Sequence, residues 1–341
     1  MAEVVIATSN PWYLELVSMV FLFFLVFGMS GTVDPVSLKG QLRNYKAIGC
    51  GLLLQFILLP FIGFLCVRTF LLPAPLGLTL LIVTSSPGGS YSNWWCSIFN
   101  ASLSLSVTMT AISTVLSTVF LPLNLLIYAN LAFSDNIISE LKWGAMFLSL
   151  ALVCLAIGLG LYGSYRSKKN GANSYRYQRI CNKLGNASGI CLVIFSFVIS
   201  SLDPKGQIWN RSATFYLSIA SPCLIGVIIS TIISSSFKLP KPERVTVSVE
   251  CCYQNVGIAQ SIAISMFTGP DLADAIGVPL YYGFVEAFVL GIYCVICWKV
   301  GWTKAPRDEK FCVVVGTNYE SELAEMRDEG QEVIYGMEVR G

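Results

Sequence analysis

Apolar runs, each long enough to cross a membrane, alternate along this chain with short polar stretches. A spanning helix needs roughly 20 apolar residues. About nine segments qualify, near 12–33, 46–69, 74–94, 102–129, 143–165, 186–203, 212–236, 243–267 and 277–301. Two polar strings interrupt the third and the eighth: Ser85-Ser86-Pro87-Gly88-Gly89-Ser90-Tyr91-Ser92-Asn93 and Glu250-Cys251-Cys252-Tyr253-Gln254-Asn255. Each would break a helix or place charge at membrane depth, where irregular backbone and ionisable groups persist only under cover of protein or a polar cavity. Two such interruptions in corresponding halves point to a transporter's binding site, so a secondary transporter is predicted.

Composition agrees with the pattern. The chain is 55% hydrophobic and 12% charged, with a mean hydropathy of +0.67, whereas a soluble domain carries about 25% charged residues. A formal net charge of +2 supports neither a nucleic-acid partner nor an acidic one; the bilayer is the expected surrounding. Charge placement says more than its sum. Basic residues follow the first, fifth, seventh and ninth segments: Lys39, Arg43 and Lys46; Arg166 to Lys183; Lys238, Lys241 and Arg244; Lys299 to Lys310. Retention of Lys and Arg in the cytosol puts those four regions inside and the amino terminus outside, as an uncleaved anchor. The plasma membrane is the expected location. Of three Asn-x-Ser sequons, at Asn100, Asn186 and Asn210, only the last falls in a predicted outer loop. After Trp302 the chain turns polar and acidic, most simply a solvated, partly disordered cytosolic tail.

The two strings carry the candidate chemistry. Pro87 lacks an N–H, and Gly88 and Gly89 permit backbone conformations closed to other residues, so carbonyls are freed from the helical ladder. Ser90, Ser92 and Asn93 add side-chain oxygens, hard ligands suited to an alkali cation; the bland alternative is a Pro-Gly kink that serves packing alone. Ser102, Ser106, Thr110 and Thr114 recur every four residues on the following helix, placing their hydroxyls on one face, where such residues also mediate ordinary packing. Glu250 costs about 2.5–3.5 kcal/mol at membrane depth and should be paired, protonated or bound to a cation. The basic residues within the predicted spans, Lys46, Arg68, Arg244 and Lys299, stand only at span ends, leaving none at depth to pair with it. Gln254 and Asn255 supply neutral oxygens nearby. Gln55 in the second segment and Glu286 in the ninth are further intramembrane polar residues, and Glu286 is expected to titrate, to line the substrate cavity or to face a water-filled crevice.

The sequence contains no histidine. This removes Ser-His and Cys-His catalysis, an H-E-x-x-H site and a histidine proton relay, and no enzyme is expected. Most of the twelve cysteines lie in apolar spans, where Cys acts as a small hydrophobe; Cys294-x-x-Cys297 has no second pair to complete a zinc site.

At these residues the chain resembles the bile acid/sodium symporter family across roughly residues 12–303. The resemblance rests on Pro87-Gly88-Gly89 with Ser92-Asn93, on Ser106 and Thr110, on Gln55 ahead of Leu58-Leu59-Pro60, on Glu250-x-x-x-Gln254-Asn255 and on Pro279-Leu280-x-Tyr282. It implies an all-α polytopic membrane protein of nine helices, residues 1–303, with a 304–341 tail. A core domain of two inverted three-helix repeats, approximately 46–129 and 212–301, would hold the two crossing broken helices. A panel domain, approximately 12–33 and 143–203, would complete it. One sodium site is carried over onto Ser92, Asn93, Ser106, Thr110 and Glu250, and a second onto Gln55, Glu250 and Gln254, with Glu250 bridging both. Pro87, Gly88, Gly89, Asn255 and Glu286 are candidates to line the substrate cavity. Animal bile acid carriers usually read Glu-Thr-Gly-x-Gln-Asn at the second string and Gln at the position of Glu286. Those departures widen the expected small-molecule cargo from bile acids to organic anions that include steroid conjugates and smaller acids. The leading expectation is sodium-coupled symport by alternating access. Its alternatives are proton-coupled or uncoupled transport in the same fold, and a transport-inactive receptor or scaffold.

Overall fold

With no water available at membrane depth, a spanning segment must close its own backbone hydrogen bonds, and the apolar runs accordingly form helices. The computed structural model describes residues 12–33, 40–89, 91–134, 142–169, 174–202, 207–317 and 319. In chain order the helices are α1 (Trp12–Gly31), α2 (Tyr45–Thr69), α3 (Ala74–Ser85), α4 (Tyr91–Ile98), α5 (Leu103–Ala132) and α6 (Trp143–Lys169). They continue with α7 (Ser174–Leu202), α8 (Ala213–Ser236), α9 (Lys241–Cys252), α10 (Val256–Met266), α11 (Pro270–Lys299) and α12 (Phe311–Gly316).

Among the described residues seven helices are long and apolar enough to cross a membrane. The third and eighth apolar segments are the pairs α3/α4 and α9/α10, each broken at its polar string. The protein is an all-α, multi-pass membrane protein. Large apolar side chains remain exposed along the outer faces, Val119, Ile127 and Leu131 on α5 and Phe288 and Ile296 on α11 among them, as lipid-facing surfaces require.

Two helices begin earlier than their apolar runs. α7 starts at Ser174 rather than near 186, because its first turns carry the exposed Arg176, Arg179 and Lys183 and extend beyond the hydrophobic window. α11 starts at Pro270 rather than near 277, with Pro at the first helical position and Gly269 turning the chain at φ 59°. The tail also departs from expectation. Val314 is fully buried and α12 packs on the body of the protein, because Phe311 and the valines after it form an apolar run within the charged surroundings. Residues 320–341, which hold the acidic stretch, lie outside the described residues.

Nine of the twelve cysteines are buried. α1 packs against α6 and α7 through glycines. A Cβ on Gly28 would lie 2.5 Å from the Gly185 Cα, and one on Gly160 would lie 2.6 Å from the Phe27 carbonyl oxygen. Between membrane helices association relies on close backbone approach rather than on a hydrophobic drive, so small residues are required at such crossings. Gly28→Val therefore forces α1 from α7, and about 1–3 kcal/mol of destabilisation is expected. Thermal unfolding of the detergent-solubilised variant should show a lowered midpoint; an unchanged midpoint would mean that the α1–α7 contact is not tight.

Candidate functional site

The two helix breaks meet and complete each other's backbone. Ser86 is extended, at φ −68° and ψ 159°, as the residue before a proline is pushed to be. Gly88 and Gln254 form an antiparallel bridge. The Gly89 N–H donates to the Tyr253 carbonyl at 2.9 Å and the Asn255 N–H to the Pro87 carbonyl at 2.8 Å. Groups orphaned by one break are thus satisfied by the other. Neither glycine has a positive φ. The reason for glycine here is the missing side chain, since a Cβ on Gly88 would lie 2.8 Å from Glu250 Oε2 and one on Gly89 would lie 2.6 Å from the Gln254 carbonyl oxygen.

Glu250, on the last turn of α9, is buried beside this bridge. Its partners are hydroxyls, with no lysine or arginine among them. Ser92 donates to Oε1 at 2.6 Å, Ser106 donates to the same oxygen, and Thr110 donates to Oε2 at 2.9 Å. Ser106 also lies 2.8 Å from Asn93 Oδ1, and Ser92 lies 2.6 Å from the Gly89 carbonyl oxygen. Three hydroxyl protons therefore face two carboxylate oxygens, an amide oxygen and a main-chain carbonyl. A cluster with more oxygen lone pairs than protons, around one buried negative charge, has the chemistry of a cage for a hard monovalent cation. Its members come from α4, α5 and α9, so the cage exists only when both breaks are in place. Ser90 lies outside the described residues.

Gln55 lies in a π-helical turn of α2, Leu54–Leu58. Pro60 has no N–H for the Phe56 carbonyl, and Asn124 of α5 supplies the donor at 2.9 Å instead. The turn directs Gln55 Nε2 to the Ser86 carbonyl at 2.6 Å and to Gln254 Oε1 at 3.0 Å, tying α2 to both breaks. Among the described residues no hydrogen bond joins Glu250 to either glutamine. Glu286 is fully buried; its Oε2 accepts from the Gln254 N–H at 2.8 Å, and its Oε1 has no partner.

Beside the cage lies a cavity of about 500 Å³ between α1, α4, α5 and α7. Asn93 and Thr110 belong to the cage and to the cavity wall together, and Trp94, Thr114, Asn182 and Asn186 extend that wall. Pro87, Gly88, Gly89, Asn255 and Glu286 do not line it. The bridge draws the backbones of residues 87–89 and 253–255 together, Asn255 caps α10 by accepting from the Ile258 N–H at 3.1 Å, and Glu286 stands on α11 with its carboxylate turned to the Gln254 N–H. Gly257 belongs to α10, and a Cβ there would meet Leu25 and Leu192. Of the four-residue stripe, Ser102 lies just before α5 and pairs through its backbone with Thr246, while Ser106 and Thr110 reach the cage. Sequence reasoning missed Ser113, whose hydroxyl accepts from the Gly88 N–H at 3.3 Å; its signal is the three-residue step from Thr110 on the same helix face. It also missed the panel-side amides of Asn182 and Asn186, one helical turn apart and bonded at 3.1 Å.

The profile of the Sodium Bile acid symporter family matches residues 19–210. The chain belongs to that family. Among similar proteins, the human "Sodium-dependent organic anion transporter" is 28% identical over 273 residues, covering 79% of this chain and 69% of that protein. The bovine "P3 protein" is 29% identical over 259 residues, covering 73% of this chain and 50% of the relative. The human "Hepatic sodium/bile acid cotransporter" is 24% identical over 297 residues, covering 87% and 83%. Against the P3 protein this chain thus spans half of the relative's length. Family membership makes it a membrane transporter by kinship, and the crossing of its two broken helices is where the polar chemistry of this family member is concentrated.

Gly89→Ala would drive a methyl group into the Gln254 carbonyl and separate the bridge. Loss of two bridging hydrogen bonds, each worth about 1 kcal/mol, is expected to lower the unfolding midpoint, with Gly144→Ala as the control because nothing lies within 4 Å of a Cβ there. Equal stability of the two variants would contradict the close approach.

Proposed function

We propose that this protein is a sodium-coupled symporter of organic anions that works by alternating access. The observation that carries the reading is the Glu250 cage: a fully buried carboxylate, oxygen-rich surroundings and no basic partner. Sodium entering the cage as co-substrate would neutralise Glu250, while the Ser92, Ser106 and Thr110 hydroxyls turn from donating to the carboxylate to offering lone pairs to the ion. Gln55 and Gln254 form the second ion site in this reading.

The substrate would bind in the 500 Å³ cavity, whose size falls within the range of about 300–1,000 Å³ usual for organic ligands. Coupling follows from shared residues. Asn93 and Thr110 face both spaces, so an ion that orders them on the cage side prepares them on the cavity side, and ion and substrate favour the same state. Among the described residues the cavity wall carries no charged side chain, and in this reading the caged ion and the amides of Asn182 and Asn186 meet the anion. In this reading α1, α6 and α7 are the panel, and α2 to α5 with α8 to α11 are the core. With the amino terminus outside, the cavity lies towards the cytosol, since its wall includes Thr32, Val33 and Asn182 at the basic ends of α1 and α7. The plasma membrane is the proposed location.

The decisive test is uptake of taurocholate and a panel of steroid conjugates and small organic acids into proteoliposomes, under an inward sodium gradient and, separately, potassium. Sodium-driven accumulation is expected, and Glu250→Gln should raise half-saturating sodium at least about tenfold, equivalent to ~1.4 kcal/mol. Equal uptake in potassium would overturn the reading. Glu286, buried with one carboxyl oxygen unpartnered, favours proton coupling as the second reading, which uptake driven by a pH gradient without sodium would select. A separate expectation concerns cargo. Asn186→Asp places a like charge beside the anion and should raise its KM about fivefold while half-saturating sodium stays unchanged; an unchanged KM would remove Asn186 from the substrate's path.

A further inference from the structure

α4 ends in a tight turn centred on Asn100. The Ala101 N–H reaches the Cys96 carbonyl at 2.9 Å and the Asn100 N–H the Ser97 carbonyl at 3.2 Å, with Asn100 at φ 55°. This is a helix stop that glycine usually supplies and asparagine tolerates. Asparagine adds something glycine would not. Its side chain donates from Nδ2 to the Val314 carbonyl at 3.1 Å and accepts at Oδ1 from the Tyr319 N–H at 2.9 Å, while its own carbonyl accepts from the Lys304 N–H at 2.8 Å. One buried residue thereby makes three hydrogen bonds to the segment that follows α11. The sequon at Asn100 is accordingly a structural feature, since its amide is consumed inside the protein.

That segment is anchored along its length. Gly301, at φ 72°, reverses the chain at the end of α11, and the Trp298 Nε1–H donates to the Pro306 carbonyl at 2.8 Å. The Phe311 ring lies 6.1 Å from Phe99 and 6.2 Å from Trp298, and Val314 is fully buried. On the other flank, Thr246 of α9 accepts from the Ser102 N–H at 2.8 Å. The α4–α5 turn is therefore held between α9 and the post-α11 segment. Eight residues make α4 a rod of about 12 Å. Its far end carries Ser92 and Asn93, and Glu250 lies one turn beyond Thr246 on α9. Anything that shifts the turn shifts the cage.

We propose that residues 302–317, with Tyr319, are a strap that holds α4 in register with α9, and that Asn100 is the positioning residue through which strap docking and cation binding favour each other. The proposal rests on the cation cage of the preceding reading. By linkage the effect is reciprocal: sodium should tighten the strap by the same factor by which the strap tightens sodium. The strap's hydrogen bonds described above run to Asn100 and Trp298 rather than to a cage ligand, so its influence is on affinity rather than on coordination.

The test places a reporter in the strap of the full-length protein. Val314→Cys introduces a thiol at a shielded site, and its maleimide labelling is followed peptide by peptide in sodium and in potassium. Labelling should be several-fold slower in sodium. Asn100→Gly keeps the turn's φ and deletes both side-chain bonds. It should accelerate labelling about fivefold and raise half-saturating sodium in uptake by a similar factor, with the maximal rate unchanged. Labelling indifferent to sodium, or accelerated by Asn100→Gly without any change in half-saturating sodium, would overturn the proposal. Failure of the sodium reading itself is seen elsewhere, as wild-type uptake that is the same in potassium, and it would remove the strap's role with it.

Discussion

A carboxylate without a counter-ion at membrane depth constrains everything around it. Glu250 is nearly inaccessible, and among the described residues its carboxylate accepts hydrogen bonds from hydroxyls alone, so the surrounding protein must supply what water and a basic residue do not. That requirement explains why the consecutive helices α4 and α5 converge on a side chain of α9, more than a hundred residues away in sequence. The converging groups are small oxygens rather than amines: an arginine here would cancel the charge permanently, whereas hydroxyls stabilise it only in part.

The convergence depends on a second constraint, that no backbone polar group be left unsatisfied in the membrane. Breaking α3/α4 and α9/α10 releases amides and carbonyls, and the structure returns them by bridging Gly88 with Gln254. The bridge demands glycine at 88 and 89 for want of space. The π-turn of α2 obeys the same accounting, with Asn124 taking the carbonyl that Pro60 abandons, and it turns Gln55 toward both breaks. Interruption, bridge, π-turn and glutamine clamp are one connected solution to a single problem of unpaired groups.

Rigid and adjustable parts follow from this. α1, α6 and α7 pack through Gly28, Gly160 and Gly185 at near-backbone contact, a surface that slides poorly. The cavity lies where those helices meet α4 and α5, and Asn93 and Thr110 connect it to the carboxylate. The end of α4 away from the carboxylate is held by the segment that follows α11, through Asn100.

Much of this was legible before any coordinates. Spanning length, the polar strings, and the isolation of Glu250 from basic residues are local or compositional properties, and the apolar runs near 12–33 and 46–69 did become helices. Residue types alone marked Ser92, Asn93, Ser106, Thr110, Gln55 and Gln254 as polar groups needing cover. What composition cannot encode is which unpaired group meets which. Only the tertiary structure decided that Pro87, Gly88, Gly89 and Asn255 close the crossing, that Ser113 and Asn124 cap freed backbone atoms, and that Asn100 holds a docked tail where the charge pattern suggested a solvated one. The physical reason is range. Helix formation and membrane insertion are set within about 20 residues of sequence, whereas satisfying a buried donor or acceptor is set by partners more than a hundred residues away, as between Ser92 and Glu250 or between Asn100 and Val314.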